Sequence, residues 1–193
     1  MPSFFRRGIA PRGAVIASVV AASLALVSNA GAGAGADAQT AYGIGTPLTQ
    51  QDIAAWNIDV APDGRGLPAG SGDVLTGAHI FAAQCAACHG AQGQGLIGDA
   101  LVGGQGTLAT AKPKRTIGSY WPYATTLFDY IRRAMPYNAP ESLSADEVYA
   151  VCAYLLSQNG VVPPDTRLDA VSLPQVKMPN RDGFVPDPRP GKF

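Results

Sequence analysis

The chain of 193 residues is poor in side chains that bind metals or form cross-links, with three cysteines, three methionines and two histidines. A structural zinc site needs four Cys or His ligands, so these residues suffice for one such site at most. Charge is sparse and balanced, with 14 Lys and Arg against 14 Asp and Glu. This balance gives no indication of nucleic-acid binding.

The sequence also lacks a hydrophobic run long enough to cross a bilayer. The unbroken stretch of small and mostly apolar residues at 14–27 is 14 residues long, whereas a spanning helix needs about 20. Three arginines precede this stretch and small residues follow it, which is the pattern of a secretory signal. We expect residues 1–38 to be a signal peptide and Gly/Ala linker, and the rest to be periplasmic and free of the membrane. An uncleaved anchor is the alternative.

Two of the three cysteines belong to a single C-x-x-C-H motif, formed by Cys85, Cys88 and His89. This motif is typical of c-type haem attachment, in which each thiol forms a thioether with a haem vinyl group and the imidazole binds the iron. One motif predicts one covalent haem c. The alternatives are a zinc site, a chance occurrence and a thioredoxin-like redox pair, although the last requires a βαβ context that the sequence does not show.

Met135 is the expected second axial ligand, because a thioether is a soft ligand found opposite histidine in electron-transfer haems. Pro136 cannot continue a helix, so the chain turns there and presents the methionine side chain. Met178 also precedes a proline and is the competing ligand.

Three residues between the motif and Met135 are candidate contacts to the haem propionates: Arg115, Trp121 and Tyr123. The two rings carry N–H and O–H donors, and ordinary aromatic core packing is their alternative role. A candidate docking face for an acidic partner is formed by five cations, Lys112, Lys114, Arg115, Arg132 and Arg133. The alternative is a solvated charged surface.

The clearest helix is predicted at Ser144–Asn159. Ser144 and Glu147 form a capping-box pattern, and Gly160 is suited to end the helix. One apolar stripe follows helical spacing and consists of Val148, Val151, Cys152, Leu155 and Leu156. Its position in this stripe predicts that Cys152 is a small buried hydrophobe.

Three further helices are predicted. Asp73–Cys85 contains Gly77, which leaves a notch where another helix can approach. Pro122–Arg133 begins with a proline, which suits the first helical position. A short helix is predicted at Thr49–Trp56, with Thr49 as its N-cap. Residues 91–106 contain six glycines and are expected to form a loop around the haem edge.

The chain is expected to divide into four parts: the signal and linker at 1–38, an irregular N-terminal arm at 39–72, a haem domain at 73–160, and a tail at 161–193. A disordered linker is the alternative for the arm. The tail holds 7 of the 16 prolines and shows no periodicity. It either wraps the domain or becomes ordered on a partner.

These residues resemble class I cytochromes c. The motif lies at that family's spacing from Gly77 and Phe81, Tyr154 resembles its C-terminal helix aromatic, and Met135-Pro136 resembles its axial methionine loop. The resemblance implies an all-α class I cytochrome c fold of three to five helices around one covalent haem, with irregular N- and C-terminal arms. Where the family usually has a proline whose carbonyl accepts from the proximal histidine, this chain has Ala100-Leu101.

Three segments, 118–126, 132–136 and 176–184, resemble the mono-haem cytochrome c subunits of sulfite and sulfane dehydrogenases. That resemblance implies a protein that is not catalytic alone. It would accept electrons from a molybdopterin-containing catalytic subunit and pass them to another cytochrome c or a terminal oxidase. A free-standing carrier, and a haem enzyme or sensor with an open axial site, are the alternatives.

Overall fold

The structure is a computed structural model that describes residues 44–186 and residue 188. The predicted signal peptide and linker at 1–38 lie outside the described residues. Leu48–Phe193 forms one compact unit. In the other unit, Met1–Pro47, only 44–47 are described, and they form neither helix nor strand.

The described chain is mainly helical, as predicted, with a small sheet that the sequence did not predict. Its elements in order are α1 Gln50–Ala54, β1 Ser71–Asp73, α2 Val74–Gln84, α3 Ala86–His89, α4 Ala124–Ala134, α5 Ala145–Gln158, β2 Arg167–Asp169 and a 3-10 helix at Leu173–Gln175. Over the described ranges, every helix is too short or too polar to cross a membrane.

Helix α5 forms the centre of the core. It begins after Ser144, where the predicted capping box with Glu147 is present, and Gly160 follows its end with a left-handed φ of 67°. The predicted apolar stripe is buried, and Tyr149, Ala150 and Ala153 beside it are buried as well. Other parts of the chain therefore cover more of the helix surface than the stripe. Cys152 is fully buried as predicted, and this burial raises the pKa of its thiol.

Helix α2 crosses α5 at Gly77, which confirms the predicted notch. A Cβ on Gly77 would collide with the Ala150 carbonyl and lie 2.8 Å from the Cβ of Tyr154. One turn further, the rings of Phe81 and Tyr154 pack with their centroids 5.1 Å apart. This close approach positions the end of α2, where the C-x-x-C-H motif begins.

Helix α4 begins later than predicted. Tyr123 has extended backbone angles, φ −136° and ψ 134°, so the first helical residue is Ala124 and Pro122 lies outside the helix. The placement of Pro122 at the first helical position is therefore wrong. At the C-terminal end of α4, the backbone of Met135 is also extended. The proline that follows disfavours helical backbone angles at this residue.

The described part of the tail, residues 161–186, packs on the domain. Strand β2 pairs antiparallel with β1, with Leu168 opposite Gly72. Leu168, Leu173 and Met178 are buried in the same core as α5. These contacts order the segment without a partner.

Part of the N-terminal arm is held on α4 by a charged cluster. The Arg133 guanidinium forms ion pairs with Asp129 of α4 at 2.6 Å and with Asp59 of the arm at 2.8 Å. The Val60 N–H donates to the Asp129 carboxylate at 2.9 Å. Around Asp59 and Val60 the arm is thus bonded to the domain, unlike a free linker. Two carboxylates therefore offset the charge of Arg133, which is part of the predicted docking face.

Candidate functional site

The C-x-x-C-H residues lie on one helical turn. Cys85 ends α2 and immediately precedes α3, and the His89 N–H donates to the Cys85 carbonyl at 3.0 Å. The two cysteines are free thiols, with Cys85 partly buried and Cys88 exposed. Burial and the neighbouring Cys88 raise the pKa of Cys85 to about 11. The turn therefore presents two thiols and an imidazole within five consecutive residues.

The His89 ring has a defined tautomer. Its Nδ1 lies 2.8 Å from the Asp99 carbonyl oxygen. A carbonyl only accepts, so Nδ1 carries the hydrogen and donates it, which leaves Nε2 unprotonated in the neutral ring. A histidine that binds a metal through one nitrogen commonly donates the other N–H in this way, which fixes its orientation and raises its basicity.

The Gly-rich loop brings Asp99 to the histidine. The Gly95 N–H donates to the His89 carbonyl and the Gly98 N–H to the Cys88 carbonyl, each at 2.8 Å. A Cβ on Gly98 would lie 2.9 Å from the His89 ring, so glycine allows the loop to approach the imidazole. The carbonyl expected from Ala100-Leu101 is supplied instead by Asp99, one residue earlier.

Asn159 ties the same loop to the end of α5, a role that the sequence reasoning missed. Its side chain donates to the Leu101 carbonyl at 3.1 Å and to the Leu155 carbonyl at 2.8 Å. It accepts from the Gly103 N–H at 3.1 Å. An asparagine after a helix is an ordinary ending signal, but its partners in the loop are 56 and 58 residues away, beyond any local pattern.

The two candidate methionine ligands have different surroundings. Met135 follows α4 directly and is only partly buried, at the edge of the core. Met178 is 3% exposed and enclosed by the core. Only Met135 retains an accessible side chain.

The three candidate propionate contacts have other neighbours in the structure. The Arg115 guanidinium lies 5.4 Å from the centre of the Tyr120 ring. Trp121 packs on Tyr130, and Tyr123 is covered by Arg181 at 4.2 Å. Among the described residues, no hydrogen bond joins Arg115, Trp121 or Tyr123 to the motif.

The donor set differs from that of a structural zinc site. Such a site needs four Cys or His ligands. Within the described ranges, no group of three or more His, Cys, Asp or Glu side chains converges on one point. Two thiols beside a histidine with one free ring nitrogen fit covalent haem attachment better than tetrahedral zinc.

Comparison with known proteins places the chain among redox proteins. Residues 72–155 match the family described as cytochrome c oxidase, cbb3-type, subunit III. A chain of the sulfane dehydrogenase SoxCD from Paracoccus pantotrophus is 46% identical, with 77% of this chain and 73% of that chain covered and a TM-score of 0.73. A chain of the thiosulfate dehydrogenase TsdBA from Marichromatium purpuratum, in its as-isolated form, is 22% identical, with 49% and 23% covered and a TM-score of 0.34. No curated protein sequence matches.

Proposed function

We propose, from the premise that this chain belongs to the cytochrome c family, that it is the electron-accepting subunit of a periplasmic sulfite or sulfane dehydrogenase. The observation that carries the proposal is the 46% identity to a chain of sulfane dehydrogenase over 77% of this sequence. The chain is a cytochrome c electron-transfer domain. We further propose its periplasmic location, its catalytic partner and the residues that bind the iron.

Cys85 and Cys88 would hold one haem through thioethers, and His89 would bind its iron. When bound, the haem supplies a one-electron couple between ferric and ferrous iron. The fit rests on the free thiols and on the unprotonated Nε2 that the Asp99 carbonyl leaves on His89. The same hydrogen bond holds the imidazole in one orientation, so that its geometry is set before the iron changes charge.

Met135 is the second axial ligand in this proposal. It stands just beyond α4 with an extended backbone and a partly accessible side chain. Met178 is the weaker candidate, because the core that encloses it would have to open before its sulfur could reach an iron. Thioether ligation raises the reduction potential relative to two nitrogen ligands, which suits an electron acceptor.

The partner is proposed to be a molybdopterin-containing catalytic subunit, which oxidises the sulfur substrate and passes electrons singly to this chain. The chain then reduces another cytochrome c or a terminal oxidase. Support comes from the three segments at 118–126, 132–136 and 176–184, which resemble cytochrome subunits of such enzymes. One C-x-x-C-H motif supports a mono-haem subunit.

Affinity purification of the tagged, haem-loaded chain from its native periplasm tests the proposal. The expected result is a co-purifying molybdenum protein in stoichiometric amount and haem reduction when sulfite or a sulfane substrate is added. A haem-loaded monomer without such a partner would instead identify a free-standing carrier. Rapid carbon monoxide binding by the isolated chain would indicate a haem enzyme or sensor with an open axial site.

A further inference from the structure

A groove of about 520 Å³ lies between the loop at 108–120 and the tail at 180–185. Its lining includes Arg115 and Tyr120 from the loop, and Asn180, Phe184 and Val185 from the tail. Phe184 is 49% exposed and Val185 85% exposed. The groove therefore combines an accessible apolar surface with a cation.

Direct contacts hold the two walls of this groove together. The Asn180 amide donates to the Tyr120 carbonyl at 2.7 Å, and the rings of Tyr120 and Phe184 meet edge to face at 5.2 Å. The Arg181 guanidinium lies 4.2 Å from the centre of the Tyr123 ring. The hydrogen bond and the ring contact join the two walls, and Arg181 holds the tail on Tyr123 just beyond the loop, so the groove is a structured feature of the surface.

The charge around the groove is positive. Arg115 lines it, and three exposed cations stand next to lining residues in the sequence: Lys112, Lys114 and Arg181. The ion pairs of the described chain involve Arg65, Arg133 and Arg167, and none of these four cations. Among the described residues, Asp182 is the one acidic residue that stands next to a lining residue in the sequence.

One of these cations connects the groove to the candidate haem site. The Lys114 ammonium donates to the Val102 carbonyl at 3.1 Å. Val102 belongs to the Gly-rich loop, and the same loop supplies the Asp99 carbonyl to His89. Lys114, which stands between the lining residues Pro113 and Arg115, is therefore bonded to the loop that orients the proposed proximal ligand.

We propose that this cationic groove binds an extended acidic segment of the redox partner, with an apolar side chain placed on Phe184 and Val185. That the ligand belongs to a redox partner rests on the proposed function. That the ligand is acidic and partly apolar rests on the residues of the groove. Complementary charge guides association and fixes orientation. A nucleic acid is disfavoured because residues 39–193 carry 11 Lys and Arg against 13 Asp and Glu.

The test uses the haem-loaded chain and a short fluorescent peptide of alternating Glu and Leu, with a Gln-and-Leu peptide of the same length as control. Fluorescence anisotropy measures the Kd. The variant Arg115→Glu/Arg181→Glu is expected to weaken binding of the acidic peptide by about tenfold, since two attractions become repulsions. The variant Arg65→Glu/Arg167→Glu changes the net charge equally at two exposed arginines that lie outside the groove lining. It is expected to alter the Kd by less than about twofold. Arg115→Gln/Arg181→Gln gives a milder loss if reversal impairs folding.

Several results would overturn the proposal. These are equal losses in the two reversal variants, equal binding of the Gln peptide, and no binding of the acidic peptide. Equally strong competition by an oligothymidylate would assign the groove to nucleic acid. A dimer in sedimentation that Arg115→Glu/Arg181→Glu abolishes would assign it to a second copy. Covalent haem is expected in every variant because Cys85 and Cys88 are unchanged, so its loss would count against the proposed function and not against the groove.

Discussion

Gly77 of helix α2 lies against the Ala150 carbonyl of helix α5, with no space for a side chain between them. The contact sets how closely the two helices cross. Because α2 ends at the cysteine that begins the C-x-x-C-H motif, this contact also sets where the motif stands relative to the core.

Gly77→Ala is expected to destabilise the fold by about 1–3 kcal/mol, because the added methyl group must push two backbones apart. Thermal unfolding followed by circular dichroism measures the change. Ala83→Ser enlarges an exposed position of the same helix and is expected to have a much smaller effect. Equal melting temperatures for Gly77→Ala and the parent chain would show that the helices separate without cost.

Gly98→Ala tests the hydrogen bond from His89 to Asp99. A methyl group there would lie 2.9 Å from the imidazole, so the ring must turn or the loop must move away. A weaker hydrogen bond makes the histidine less basic, and a less basic ligand favours ferrous over ferric iron. The midpoint potential of the haem is therefore expected to rise, by about 59 mV for each tenfold loss of the histidine's preference for ferric over ferrous iron.

Redox titration of the haem-loaded variant measures that potential. Ala91→Ser is the control in the same loop, since Ala91 is exposed and the added hydroxyl leaves the backbone unstrained. An unchanged potential in Gly98→Ala would contradict the role given to the Asp99 carbonyl.

Met135→Ala and Met178→Ala separate the two candidate ligands. The first is expected to abolish the weak far-red sulfur-to-iron absorption band of the oxidised protein and to open the iron to carbon monoxide. The second is expected to keep the band and to cost about 2–5 kcal/mol of stability, because it leaves a cavity in the core. Loss of the band in Met178→Ala, with the band kept in Met135→Ala, would identify Met178 as the ligand.

Tyr149→Phe tests a buried hydroxyl that donates to the Pro68 carbonyl at 2.9 Å. Burial raises the pKa of Tyr149 from 10.0 to about 12. The folded state thus holds this proton more tightly than the unfolded state. The stability it gives is complete below pH 10 and is lost as the pH rises towards 12.

The phenylalanine variant is expected to lose about 1 kcal/mol near neutral pH and to show a shallower decline between pH 10 and 12. Urea unfolding across that range, followed by far-ultraviolet circular dichroism, measures both effects. Tyr130→Phe is the exposed control. An unchanged alkaline slope in Tyr149→Phe would mean that other groups cause the decline.

Structural features that depend on residues close together in the sequence could be predicted from it. Thr49 and Ser144 both cap helices as expected, because a capping box needs only residues three apart. The notch at Gly77 was predicted from its position in the helix, and its contact with α5 confirms the notch. The C-x-x-C-H motif and its surrounding loop were also accessible from local pattern.

Features that depend on distant pairs could not be predicted in the same way. Strands β1 and β2 contain three residues each, too few to show alternation, and 93 residues separate the end of one from the start of the other. The ion pairs of Arg133 with Asp59, and the link from Asn159 to the loop, join segments whose sequences are individually unremarkable. Pro122 was misplaced because the extended angles of Tyr123 delay the start of helix α4.

Mass spectrometry of the denatured chain, after maturation in a host with periplasmic haem attachment, tests the central claim most directly. The account predicts the mass of the mature chain plus one haem, with Cys85 and Cys88 both blocked to alkylation and Cys152 free. Cys85→Ala/Cys88→Ala is predicted to yield the polypeptide mass alone. A parent chain that loses all haem on denaturation, or a double variant that still retains it covalently, would contradict the account.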